Sequence, residues 1–276
     1  MLFELDPSLL SGLRDQKNGP QICEALGELA RAARRGYHVI YATPELFSAL
    51  AEETNLDEVS KRIFKSLSHS AVQSRNILQF IKKRFVVVYG QEELSVSNNL
   101  LYIPARFLSI YDLSYSPILL VENLNDAYFY VNLFKAYKAR LRLNGKRIHG
   151  VDINCECVSG GGNTIRNQYA YYQRARLRLC LVIVDSDKKY PNASLGNTAS
   201  QLQQEINQQP ASSKLLSEMV VLEVREVENL IPLGLLDLIK HSNSQRQRAY
   251  ELLDQNRTNV ARQYLNMKEG MDLFLI

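Results

Sequence analysis

Three short, almost wholly apolar runs, each stopping at a cluster of carboxylates, constrain this chain more than any other feature. Ile118-Leu119-Leu120-Val121 runs into Glu122-Asn123-Leu124-Asn125-Asp126, and Leu181-Val182-Ile183-Val184 runs into Asp185-Ser186-Asp187. Met219-Val220-Val221-Leu222, in a strand expected over Met219 to Val224, leads to Glu223-Val224-Arg225-Glu226-Val227-Glu228-Asn229. Runs this short and this apolar predict strands covered on both faces. Helical spacing separates them. Asn125 to Leu143 offers Ala127, Phe129, Tyr130, Leu133, Phe134 and Tyr137 as an apolar face, while Thr164 to Arg176 and Asn197 to Gln208 also read as helices. Val151 to Val158 supplies one more strand, followed by the turn Gly160-Gly161-Gly162. Strands alternating with helices of this length predict parallel βαβ units. Such sheets gather ligands at the carboxyl ends of their strands, which is where the acidic clusters fall.

Carboxylates gathered at one edge repel each other and are costly to desolvate. A divalent cation with oxygen ligands relieves both problems. Glu122 and Asp126 stand at i and i+4 across a strand end and a first helical turn. Asp185 and Asp187, at i and i+2, can point the same way. If their strands are neighbours, four carboxylates converge. That set suits Mg²⁺ or Mn²⁺, and two ions would divide the work on a phosphodiester between activating water and stabilising the leaving oxygen. Glu226 or Glu228 would hold the second ion or act as general base. Lys188 and Lys189 follow the second cluster, where a lysine can stabilise charge on a phosphate or simply sit exposed on a loop. The competing reading is structural: Asp126 and Asp187 in first helical turns complement the helix dipole. Pro191 to Gly196 reads as a mobile loop over the site.

The remainder frames this region without adding chemistry. Residues 1–115 read as an α/β accessory region. A helix is expected from Gln21 to Ala33 and a strand from Tyr37 to Ala42. Thr43-Pro44 should open a helix over Leu46 to Glu52. A long helical stretch follows from Leu56 to Lys83, broken near Ser66, Ser68 and Ser70, then strands at Arg84 to Tyr89 and Leu94 to Leu101. Residues 116–231 form the catalytic half, and 232–276 a small helical cap. The chain carries four cysteines and no Cys-x-x-Cys pair, which predicts free thiols rather than zinc. Its net charge of +4 is mild, but Arg31, Arg34 and Arg35 cluster, as do Lys82-Lys83-Arg84, the run from Lys135 to Arg147, and Arg174, Arg176 and Arg178. Such clusters either contact phosphates or solvate helix ends. No apolar run approaches the roughly 20 residues a membrane span needs. The acidic start Met1-Leu2-Phe3-Glu4-Leu5-Asp6 lacks a secretory pattern, so a cytoplasmic protein is expected. No GxxxxGK[ST] loop is present, so any ATP dependence would come from another protein.

The strand ending in Glu122, with Asp126 four residues on and a later strand ending in Asp185-Ser186-Asp187, resembles the Toprim domain of topoisomerases, bacterial primases, recombination mediators and OLD-type nucleases. The family pattern has Glu-Gly-x-x-Asp, and here Asn123 replaces the glycine. The Gly160–Gly162 run is similar to the family's glycine-rich turn. Arg225-Glu226-Val227-Glu228-Asn229-Leu230 resembles the element that distinguishes OLD-like nucleases and the stand-alone Toprim proteins of phage defence. The resemblance covers about residues 116–231. It implies a Toprim-like mostly parallel sheet flanked by helices. It further implies a Mg²⁺-dependent endonuclease on DNA or RNA, serving antiviral defence beside a separate ATPase or sensor partner. Lys268 resembles the late catalytic lysine of OLD-type enzymes. A homo-oligomer is compatible with the chain. Two other readings stand beside this one: a primase-like nucleotidyl-transfer module, and a non-catalytic Toprim scaffold that binds nucleic acid or a partner.

Overall fold

The protein is described by a computed structural model over residues 1–74, 77–81, 83–144, 154–176, 178–209, 216–238, 244–255 and 260–267. It is an α/β protein built on two sheets that are mostly parallel and flanked by helices. The first sheet contains β1 (Leu2–Leu5), β2 (Val39–Tyr41), β3 (Arg84–Val88), β4 (Ser95–Ser97) and β5 (Leu100–Pro104), in the order β2-β1-β3-β5-β4. All its pairings are parallel except β4 with β5. The sequence places one strand over Leu94 to Leu101. The chain instead folds back as a hairpin, with Asn98 and Asn99 at φ 51° and 64°. Two left-handed residues in a two-residue loop match the twist of paired strands, and Asn tolerates that conformation better than most residues. β1 was not anticipated either, although Phe3 is fully buried.

Helices α1 (Leu9–Leu13), α2 (Gly19–Arg34), α3 (Pro44–Glu52), α4 (Glu58–Ser74), α5 (Ile77–Phe80) and α6 (Arg106–Ile110) accompany this sheet. Thr43 caps α3 as expected, its hydroxyl accepting from the Leu46 amide at 3.2 Å. The break expected near Ser66, Ser68 and Ser70 is not present. Ser70 donates to the Ser66 and Leu67 carbonyls, and Ser68 to the Pro44 carbonyl at 3.2 Å, so the hydroxyls find partners without opening the helix.

The second sheet is parallel throughout: β6 (Ile118–Val121), β7 (Glu156–Ser159), β8 (Cys180–Val184) and β9 (Ser217–Val221), in the order β7-β6-β8-β9. Its helices are α7 (Leu124–Leu143), α8 (Ile165–Tyr171, continued by a wider turn over Tyr172–Arg176) and α9 (Asn197–Gln208). The strands alternate between two faces. Ile118, Leu120, Val182 and Val184 pack with Ile165, Tyr169, Ala199 and Leu202 from α8 and α9. Leu119, Val121, Leu181 and Ile183 pack with Ala127, Tyr130 and Val131 of α7. Burial on both faces holds for β6. The edge strands β7 and β9 are half exposed, because each lacks a neighbour on one side. β9 is also offset from the expected Met219 to Val224, ending at Val221. Within the expected strand Val151 to Val158, residues 151–153 lie outside the described residues. On α7 only Ala127 is fully buried, and Leu133 and Tyr137 are about half exposed.

The two sheets share a core. Leu179 and Leu216, flanking strands of the second sheet, pack into the large apolar cluster of the first. Asn154 donates to the Arg35 carbonyl at 2.8 Å, and Lys83 pairs with Glu218. In the C-terminal part, helices span Leu233–Asp237 and Ser244–Gln255, with a single turn over Val260–Tyr264. No helix among the described residues is long and apolar enough to cross a membrane.

Candidate active site

Sheet order puts β6 between β7 and β8. The α7 crossover therefore goes to one side of β6, and the next connection returns past it. That reversal opens a crevice at the carboxyl ends of β6 and β8. Val121 pairs with Ile183, so Glu122 leaves its strand beside Val184 and Asp185 leaves one residue further on. The Asp185 amide donates to Glu122 Oε1 at 3.3 Å, joining the first two acidic clusters directly. Asp185 is 4% exposed, and its Oδ1 accepts from the Val227 amide at 3.0 Å, which ties in the third cluster.

Asn123 takes its place after β6 without backbone strain. Its φ is −127°, ordinary extended backbone, and it caps α7 by accepting from the Asn125 amide at 3.0 Å. Asp126 Oδ2 accepts from the Asn123 amide at 3.1 Å, completing a capping box. Asp126 is thus both a helix cap and a residue of the cleft. The glycine turn anchors the opposite wall: the Gly160 amide donates to Val121 O at 2.7 Å and the Gly161 amide to Glu122 O at 3.1 Å. Gly161 and Gly162 take φ values of 66° and 60°, a region open to glycine and strained for most residues.

Glu122, Asn123, Asn125, Asp126, Gly162 and Glu228 line an open cleft of about 420 Å³. Tyr130, one turn along α7 from Asp126, reports the same convergence. Its phenol is pushed well above the usual range, first by burial and then by the charges of Asp185, Asp126, Glu122 and Glu228. No sequence signal marked Tyr130 as more than a core residue.

The other predicted residues are placed differently. Glu226 is 4% exposed; its Oε1 lies 3.5 Å from Arg225 Nε and its Oε2 accepts from the Met267 amide at 3.0 Å. It binds the C-terminal segment to the third cluster, whereas Glu228 reaches the cleft. Asp187 adopts φ 51°, its amide donates to Arg225 O at 3.0 Å, and its side chain lies against Gly196. It does not line the cleft. Lys188 reaches the Pro191 carbonyl at 3.5 Å. The loop from Pro191 is tied back, the Gly196 amide donating to Ser186 O at 2.9 Å. Lys268 lies outside the described residues.

A cleft lined by carboxylates offers only oxygen donors, the ligand type of Mg²⁺ and Mn²⁺. A carboxylate has two oxygens and about four acceptor sites, so a backbone bond at one oxygen is compatible with metal ligation at the group. By donor chemistry the set fits such an ion. Yet among the described residues no group of three or more His, Cys, Asp or Glu side chains is arranged to hold a metal. Compared with known proteins, the chain matches no family model, no curated protein and no solved structure.

Proposed function

We propose that this protein is a metal-dependent nuclease of the Toprim type, hydrolysing phosphodiester bonds of DNA or RNA. The observation that carries the reading is the convergence of Glu122, Asp126, Asp185 and Glu228 around Tyr130, at the crevice where the sheet reverses direction. Those four carboxylates are the ligands of the reading. When bound, Mg²⁺ or Mn²⁺ supplies Lewis acidity towards a phosphate and lowers the pKa of water. The chain's own contribution is placement. Asp185 is fixed by the Val227 amide, Glu122 by the Asp185 amide and Asp126 by its capping bond. Tyr130 remains protonated at neutral pH and serves as a donor, not a base. Lys188 and Lys189, on the loop leaving β8, are the nearest lysines in sequence to Asp185 for a phosphate approaching the cleft. With no GxxxxGK[ST] loop in the chain, any ATP hydrolysis that controls it comes from a separate ATPase or sensor partner, the protein acting as an effector in antiviral defence.

One observation favours a second reading, a scaffold that binds nucleic acid without cutting it: the carboxylates are not already arranged as a metal-holding group among the described residues. Cleavage of labelled plasmid DNA and total RNA in Mg²⁺, Mn²⁺ or EDTA separates the two. Cleavage that needs the metal and falls by about 100-fold or more in Asp185→Asn supports the nuclease. Metal-independent binding with no cleavage, with or without the partner, supports the scaffold.

A further inference from the structure

A second polar region stands apart from the carboxylate cleft, at the carboxyl end of α2. α2 ends at Arg34, and Arg31, Arg34 and Arg35 lie within its last turn and cap. They line two adjoining cavities. One, of about 210 Å³, is walled by Glu28, Arg31, Arg35, Tyr37, Ser114 and Tyr115. The other, of about 180 Å³, is walled by Arg31, Arg34, Arg35 and Val59. Arg31 and Arg35 form the partition common to both.

Cations at a helix carboxyl end usually complement its dipole, and Arg31 and Arg34 in the last turn already do so. The dipole does not account for the rest. Arg34 and Arg35 are exposed and have no carboxylate partner among the described residues. Of the acids nearby, Asp57 takes Arg31 at 3.1 Å but also accepts from the Val59 and Ser60 amides and the Ser60 hydroxyl. Glu28 stands at one rim, with the Ser114 hydroxyl 3.4 Å away. Three guanidinium groups therefore face two carboxylates, one of which is heavily engaged. The same cavity presents two aromatic rings, and Tyr115 is 60% exposed. Arginine forks match phosphate geometry, and exposed tyrosines stack on nucleobases.

We infer that this groove binds a nucleotide: Arg34 and Arg35 hold its phosphate, and Tyr37 and Tyr115 receive its base. The chemistry is the same for a free mononucleotide and for one residue of a single strand. The inference does not depend on the carboxylate cleft, because anions are bound here by arginines without metal.

The test is fluorescence anisotropy of the full chain with a fluorescein-labelled single-stranded oligonucleotide, competed with AMP and with ATP, all in EDTA so that no divalent ion can act. Arg34→Ala/Arg35→Ala is expected to weaken binding by about tenfold or more, and Tyr115→Ala by about fivefold. Both sites are exposed, and circular dichroism verifies folding. Lys17→Ala, an exposed side chain just before the amino end of α2 and so at the opposite end of that helix from Arg34 and Arg35, is the control and should bind as wild type. Competition by AMP or ATP assigns the groove to a free nucleotide; binding of the oligonucleotide without such competition assigns it to a strand. The inference is overturned if no probe binds, if the double arginine variant binds as wild type, or if Lys17→Ala loses as much.

Discussion

Single residues carry opposing demands in this molecule. Asp126 is a helix cap and a cleft residue together, and Asp185 is a buried carboxylate held by a backbone amide. The division of labour between Glu226 and Glu228 is open in the sequence, since two acids two positions apart look alike. Packing separates them: Glu226 faces Arg225 and the Met267 amide, and Glu228 faces the cleft. Asp187 departs from expectation because its left-handed backbone, which no sequence pattern announces, aims the side chain at Gly196. Elsewhere, His38 sets a residue-scale prediction. It is 3% exposed, its ring edge-on to Phe3 at 4.9 Å, and its pKa is pulled down to about 3, first by burial and then by the amino terminus. The unfolded chain restores a value near 6.5. Between about pH 6.5 and about pH 3 the unfolded state therefore binds a proton that the folded state refuses. Stability is full above that window and falls as pH drops through it, by up to about 1.4 kcal/mol per pH unit. Urea unfolding at about pH 7.5 and about pH 5 should show the loss, and His38→Phe should flatten it. An unchanged slope in that variant contradicts the assignment.

At the scale of elements, legibility followed periodicity. The strands β6 and β8 and the helices α7 and α9 were readable because apolar runs and helical spacing are long-lived signals there. β1 was not, since four residues, three of them buried, give no alternation to detect. The hairpin of β4 and β5 looks like one strand in the sequence because Asn-Asn is a weaker turn signal than Asn-Gly. Its geometry makes a direct prediction. Asn99 sits at φ 64°, where a β-branched side chain is strained. Asn99→Val should lower stability by about 1–2 kcal/mol, and Asn99→Gly should raise it by a few tenths, read as shifts in urea midpoint. Equal stability of both variants would show that the turn does not constrain the hairpin. The third acidic cluster was misplaced relative to its strand. β9 ends at Val221, and the chain then crosses Leu222 to Arg225 before Glu226 and Glu228, so Ser186 Oγ can donate to the Val224 carbonyl at 2.7 Å and lock the two loops together.

Across the whole molecule, the two sheets are bound through Leu179 and Leu216, while the acidic cleft and the arginine groove lie in different places: one at the carboxyl ends of β6 and β8, the other at the carboxyl end of α2. The alternation of strands and helices told where ligands gather, because a parallel sheet has one favoured edge. It did not tell which acids reach that edge, because this depends on caps and loop bonds formed only in the folded chain. The proposed function requires that Glu122, Asp126, Asp185 and Glu228 together hold a divalent cation. Isothermal titration of Mn²⁺ into the full chain tests it without needing a substrate or a gating partner. Saturable binding is expected, weakened by about tenfold or more in Glu122→Gln and in Asp185→Asn, with both variants folded. Heat signals no different from dilution, or binding untouched by both substitutions, would contradict it.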